Sequence, residues 1–128
     1  MNLNVPIGPG ELIDKITILE IKSERLAARE QLANVRVELA ARVAARDAAL
    51  APSPELDALS GALKRINEIL WQVEDEIRDC ERRTDFAARF IELARAVYHT
   101  NDQRAALKRR INQLLDAQIV EEKSYAAY

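Results

Sequence analysis

The chain has 128 residues and a formal net charge of −2, a length that suits a single domain. Hydrophobic residues make up 48% and aromatic residues 5%, and the abundance of Ala, Leu, Glu and Arg predicts an all-α fold. The nearly balanced charge argues against a nucleic-acid-binding protein, which usually has a basic face. The single cysteine excludes an intrachain disulfide, and the lack of a secretory signal or long apolar run predicts a cytoplasmic protein without membrane contact.

The first predicted helix follows an extended N-terminal arm at residues 1–8 and has apolar residues on two sides. Leu12, Ile16 and Leu19 form one stripe, and Ile18 and Ile21 lie opposite. A surface helix needs only one apolar stripe, so this pattern predicts a central helix that packs against two neighbours. A homodimer face, or a partly polar pocket formed by Asp14, Lys15 and Thr17, would also fit the pattern.

The next two predicted helices, at about 31–50 and 54–83, are separated by a short turn in which Ser53 can cap the third helix and Pro54 begins it. The short connection predicts that they form a long antiparallel hairpin. The third helix carries a coiled-coil-like seam with alternating spacings of four and three residues. The seam consists of Ile66, Leu70, Val73, Ile77 and Cys80.

Two shorter helices are predicted at about 85–98 and 103–115, separated by a break at residues 100–102. Phe86, Phe90, Leu93 and Val97 form the apolar stripe of the first of them. The predicted architecture is therefore an up-and-down bundle of four or five helices in a single domain spanning 1–128, with a partly ordered tail at 116–128.

A second stripe on the third helix lies beside its seam and includes the only tryptophan of the chain, Trp71. A large aromatic residue displaced from the main core can indicate a partner or ligand surface, although the simpler interpretation is that Trp71 packs against the N-terminal segment or another helix. Together with charged residues of the first helix, this stripe gives a candidate pocket or interface. Its members are Glu11, Asp14, Lys15, Asn67, Trp71, Glu74 and Arg78.

Nothing in the sequence is a diagnostic catalytic motif, and we expect no catalytic residue, metal or cofactor. Helical nucleotide pyrophosphohydrolases pair an E-x-x-E helix with an E-x-x-D helix to bind Mg²⁺. The chain has E-x-x-D at Glu11/Asp14 and at Glu76/Asp79 but no E-x-x-E. Its only histidine, His99, has no triad pattern around it.

Three blocks of the sequence resemble a family of short bacterial helical proteins with no established function. The resemblance spans nearly the whole chain and implies no activity and no catalytic residues. The blocks are V-P-I-G-P-G-E-L-I-D-K-I-T-I-L-E-I-K-S-E-R, W-Q-V-E-D-E-I-R-D-C-E and D-F-A-A-R-F-I-E-L-A-R-A-V-Y-H-T-N-D-Q-R-A-A-L-K.

We therefore expect a non-catalytic helical interaction or accessory protein that forms a homodimer through exposed sides of its first and third helices; an unknown protein partner is also possible. The alternative is a small helical enzyme acting on an anionic metabolite, either chorismate-mutase-like or a metal-dependent pyrophosphohydrolase. That alternative requires five charged residues to converge in one cleft. They are Glu11, Asp14, Lys15, Glu74 and Arg78.

Overall fold

The computed structural model describes residues 1–117 and 121–128, and all of its regular secondary structure is helical. The predicted all-α fold is therefore confirmed. Residues 1–8 precede the first helix without regular secondary structure; of the tail predicted at 116–128, residues 118–120 lie outside the described residues. Within the described chain, no helix is long and apolar enough to span a bilayer. The helices are α1 (Pro9–Arg25), α2 (Arg29–Ala49), α3 (Pro54–Arg82) and α4 (Ala88–Leu114).

Helix α1 is the centre of the molecule, because it packs against each of the other three helices. Its residue Ile13 is buried in a core shared with α3 and α4. Leu12, Ile16 and Leu19 on one side of the helix and Ile21 on the opposite side are also buried, so both apolar sides of α1 are covered. The two-sided apolar pattern thus correctly predicted a central helix.

The long antiparallel hairpin is formed by α3 and α4, so its prediction for the second and third helices was wrong. Within the described residues, α2 packs on α1 and on neither α3 nor α4. The physical reason is the narrow apolar surface of α2, on which Val35 alone is buried, whereas the α3 seam finds a matching stripe in Phe90, Leu93 and Val97 of α4. Ser53 caps α3 as predicted, accepting a hydrogen bond from the Leu56 amide at 3.1 Å.

Helix α4 runs without interruption through residues 100–102, where the sequence predicted a break between two helices. Thr100 is buried and Asn101 is half-buried within the helix. Packing against α3 therefore overrides the local preference of these residues for turns and caps. The turn before α4 places Thr84 in a left-handed conformation with φ of 51°, and the helix begins at Ala88, a few residues later than predicted.

The bundle has two cores at different heights of the α3–α4 hairpin. The lower core, which we call the base, brings α1 together with α3 and α4 around Ile13, Leu56, Leu59, Leu63 and Ile111. The upper core, at residues 73–97, which we call the tip, is built from α3 and α4 alone. Its members are Val73, Ile77, Cys80, Phe90, Leu93, Ala96 and Val97.

Candidate functional site

A cluster of buried polar side chains lies in the base, where α1 meets α3 and α4. Asp14 of α1 is its centre and is only 1% exposed. Its Oδ1 accepts hydrogen bonds of 2.9 Å from Arg104 Nε and of 2.9 Å from Asn67 Nδ2, and its Oδ2 accepts one from Arg104 Nη2. The carboxylate is therefore held by a two-point guanidinium contact and an amide, as a buried charge requires.

The cluster continues to Thr17, one turn further along α1. The Thr17 hydroxyl donates to the Asp14 backbone carbonyl at 2.8 Å and accepts the second hydrogen bond of Asn67 Nδ2 at 2.9 Å. Asp14 and Thr17 share one face of α1 because they are three residues apart. Asn67 therefore bridges both α1 side chains, which fixes the position of α3 against α1.

Arg104 and Lys108 set the electrostatics of the cluster. Burial by itself raises the pKa of the Asp14 carboxyl, but the hydrogen bonds from Arg104 and Asn67 and the charges of Arg104 and Lys108 outweigh it, so its pKa is lowered. The bond to Asp14 in turn raises the pKa of Arg104. The ionised form of Asp14 is therefore favoured. A carboxylate held in this way suits a structural role, in which it joins the helices, better than a role as a proton acceptor.

The N-terminus of α1 approaches α4 closely at Gly10. Its amide donates a hydrogen bond to Asn112 Oδ1 at 2.8 Å. The N-cap residue of α1 is Gly8, which has no side chain to cap the first amides of the helix. Asn112, 102 residues away in the chain, therefore takes over this role for the Gly10 amide. A Cβ at position 10 would overlap the Lys108 carbonyl oxygen and lie 2.9 Å from Asn112 Oδ1. Glycine is therefore required here by the contact between the two helices.

Lys108 lies at the edge of the cluster with its side chain only 12% exposed. Its Nζ contacts Glu11 Oε2 at 2.7 Å and Glu121 Oε2 at 2.6 Å. Burial opposes the charged form, but the hydrogen bonds with Glu11 and Glu121 outweigh it and raise the pKa of Lys108. A cavity of about 260 Å³ adjoins these groups and is also lined by Ile7 and Asn112.

The residues proposed from the sequence fall into two separate groups. Asp14 and Asn67 meet in the buried cluster, and Glu11 stands beside it, paired with Lys15 at 3.5 Å and with Lys108. Trp71 is half-buried on α3. Glu74 and Arg78 pair with each other at 3.3 Å on the exposed surface of the tip, and no hydrogen bond or ion pair of the described residues joins them to Asp14.

Across the described ranges, no three His, Cys, Asp or Glu side chains gather closely enough to hold a metal ion. Several acidic residues of the tip instead form ion pairs with arginines. Asp79 contacts Arg82 and Arg83, and Glu76 contacts Arg89 at 3.0 Å.

The sequence pattern of a family described as "Family of unknown function (DUF6165)" matches residues 3–128. The chain belongs to this family. No curated protein and no solved structure matches the chain. Membership in DUF6165 confirms the resemblance to an uncharacterised family, and because its description assigns no activity, function has to be argued from the structure.

Sequence reasoning on this DUF6165 member did not place Arg104 and Asn112 in the site. Neither Arg104 nor Lys108 is among the candidate residues selected from the sequence, yet both turn towards α1. The available signal was their spacing: Arg104, Lys108 and Asn112 recur every four residues, which puts three polar side chains on one face of α4. Nothing in one sequence, however, says that this face meets Asp14.

Proposed function

We propose that the protein is a non-catalytic interaction module that self-associates through the tip of the α3–α4 hairpin. The observation that carries the proposal is a second apolar seam on α4. Ile91, Ala94 and Tyr98 follow one another at spacings of three and four residues, as in a coiled coil. Ile91 is 56% and Tyr98 is 42% exposed, so within the described residues this seam is not buried against another helix.

The arrangement of helices supports the tip as the contact surface. The sequence suggested exposed sides of the first helix as part of a dimer contact, but α1 is covered by three helices. The tip core has two helices only, and Phe86, in the turn before α4, is also about half exposed at 51%. Exposed apolar residues that lie near one another favour a binding surface more strongly than the same residues scattered singly.

Geometry also bears on the rival proposal, a small enzyme acting on an anionic metabolite. That proposal needs Glu11, Asp14, Lys15, Glu74 and Arg78 in one cleft. Asp14 is saturated by Arg104 and Asn67, while Glu74 and Arg78 bind each other at the tip. The separation of these groups favours the interaction module.

The test is the mass of the protein in solution. At micromolar concentration we expect light scattering to give about twice the chain mass of 14.5 kDa. Ile91→Glu places a charge in the seam and should weaken association at least about tenfold, which corresponds to ~1.4 kcal/mol. The matched control is Val37→Glu, which makes the same change at an exposed apolar residue of α2 and should leave association unchanged. A monomeric wild-type protein, or equal effects of both variants, would contradict the proposal.

A further inference from the structure

The segment 121–128, which we call the strap, lies along the outer surface of α4. Glu121 pairs with Lys108 at 2.6 Å and Glu122 pairs with Arg109 at 2.6 Å. At the other end of the strap, the Tyr128 hydroxyl donates to Asp102. The order of the contacts shows that the strap runs antiparallel to α4 over more than one helical turn.

The strap follows one stripe of α4. Arg109, Asp102 and Tyr98 are separated by seven and four residues, so they lie on the same side of the helix. Between them, the small side chains of Ala105 and Ala106 leave a cavity of about 250 Å³, which Glu121 also lines. The stripe therefore has the cation of Arg109 at one end, a shallow cavity over Ala105 and Ala106 in the middle, and the aromatic ring of Tyr98 at the other end.

The aromatic end is formed by Tyr98 and His99. The Tyr128 ring centroid lies 5.1 Å from that of Tyr98 and 4.5 Å from that of His99, the latter in an edge-on arrangement. Such pairs are favourable and directional. Tyr128 thus occupies the aromatic surface of Tyr98, and the same seam continues through Ala94 to Ile91, two turns earlier.

We propose that this stripe of α4 is a docking groove for an acidic segment followed by a tyrosine, and that the strap fills this groove within the same chain. The strap must then leave the groove before a second copy of the chain can pair along the seam of Ile91, Ala94 and Tyr98. This inference rests on the proposed self-association, because Tyr98 belongs both to the groove and to the seam. The strap is held by ring contacts and by ion pairs in which its own carboxylates are largely exposed; such contacts are weak individually, so releasing the strap requires little free energy.

Docking of the strap can be measured by NMR at His99. Because His99 is the only histidine of the chain, all imidazole signals in the spectrum come from this residue. In the full-length protein, Tyr128→Ala should shift these signals because it removes the neighbouring ring. Tyr125→Ala is the matched control, since Tyr125 belongs to the same strap, is exposed and makes no ring contact among the described residues. An unchanged His99 spectrum in Tyr128→Ala would overturn the docking groove.

The competition is tested by the dissociation constant of the dimer, measured by analytical ultracentrifugation. Glu122→Arg places two cations together at Arg109, should release the strap and should tighten self-association about tenfold. The charge swap Arg109→Glu with Glu122→Arg restores the ion pair and should restore the wild-type dissociation constant. A dissociation constant equal in all three proteins would overturn the competition. If every variant is a monomer, the proposed self-association fails, and the His99 signals still decide separately whether the groove binds the strap.

Discussion

The base and the tip use the same two helices, α3 and α4, but they are stabilised differently. In the base, α1 adds a third helix, Leu63 and Ile111 are completely buried, and the ion pair of Asp14 with Arg104 is enclosed between helices. In the tip, two helices share a small apolar core, and ion pairs such as that of Glu74 with Arg78 lie on the surface. A third helix is therefore what permits a charge to be buried with its partners, and where it is missing the surface remains open for another molecule.

Removing a charge in the base should have a large effect on stability. Asp14→Ala leaves Arg104 partly buried without its counter-ion and removes one of the two acceptors of Asn67 Nδ2, and we expect a loss of about 3 kcal/mol in the free energy of unfolding. In the tip, Glu74→Ala removes an exposed pair and should cost about 0.5 kcal/mol or less. Urea denaturation of both variants measures the difference, and equal losses would remove the distinction between the two regions.

The dependence of stability on pH gives a further test of the buried charge in the base. The pKa of Asp14 is lowered in the folded protein, so its contribution is complete above its unfolded-state pKa of about 3.9 and is lost as the pH falls through the lower folded-state value. We expect the stability of the wild-type protein to decline in this acidic range. Asp14→Asn should be less stable at neutral pH and should show a shallower decline, which thermal unfolding at a series of pH values will test.

Two buried leucines compare the cores directly. Leu63→Ala opens a cavity among three helices, where little can collapse, and should cost about 3–5 kcal/mol. Leu93→Ala opens a cavity between two helices with solvent nearby and should cost about 2–3 kcal/mol. Hydrogen exchange should show opening confined to the tip for Leu93→Ala and opening of the whole bundle for Leu63→Ala. Identical exchange patterns would mean that base and tip unfold as one unit.

Alanine substitutions at two glycines should change the stability of the protein in opposite directions. Gly10→Ala forces α1 away from Lys108 and Asn112 and should destabilise the protein by about 1–3 kcal/mol. At Gly61 in α3, an added Cβ would meet only a flexible Arg65 side chain at 3.6 Å, so Gly61→Ala should stabilise the protein by about 0.5–1 kcal/mol. Midpoints of thermal unfolding should therefore shift in opposite directions.

The sequence predicted the parts of the fold that depend on a single helix. The two apolar sides of α1 and the part of the α3 seam from Val73 to Cys80 are local patterns, and both form packed surfaces in the structure. The predicted pairing of α2 with α3 was wrong. A short turn indicates that the chain reverses direction, but it does not indicate which apolar stripes pack together. The break predicted at Asn101 failed because a local preference for turns is weaker than burial of the neighbouring Thr100.

The candidate site was predictable only in part for the same reason. Asp14 and Asn67 were selected from charge and position on their helices, and they form a hydrogen bond in the structure. Arg104 lies 90 residues from Asp14, and no periodicity within α4 states which helix its face will meet. Charged residues at regular spacing look alike on a solvated face and on a buried one, so the distinction depends on tertiary packing.

The hydrogen bond from the Gly10 amide to Asn112 has a consequence for the order in which the protein is made. Residues near the beginning of the chain leave the ribosome first, yet the first turn of α1 receives this bond only after position 112 has been synthesised. Closing a contact over 102 residues also carries a large loop-closure entropy, which slows folding. The base therefore acquires its final contacts late, and until then the side of α1 that packs against α3 and α4 is exposed, a state in which nascent chains are prone to aggregate and to need chaperones.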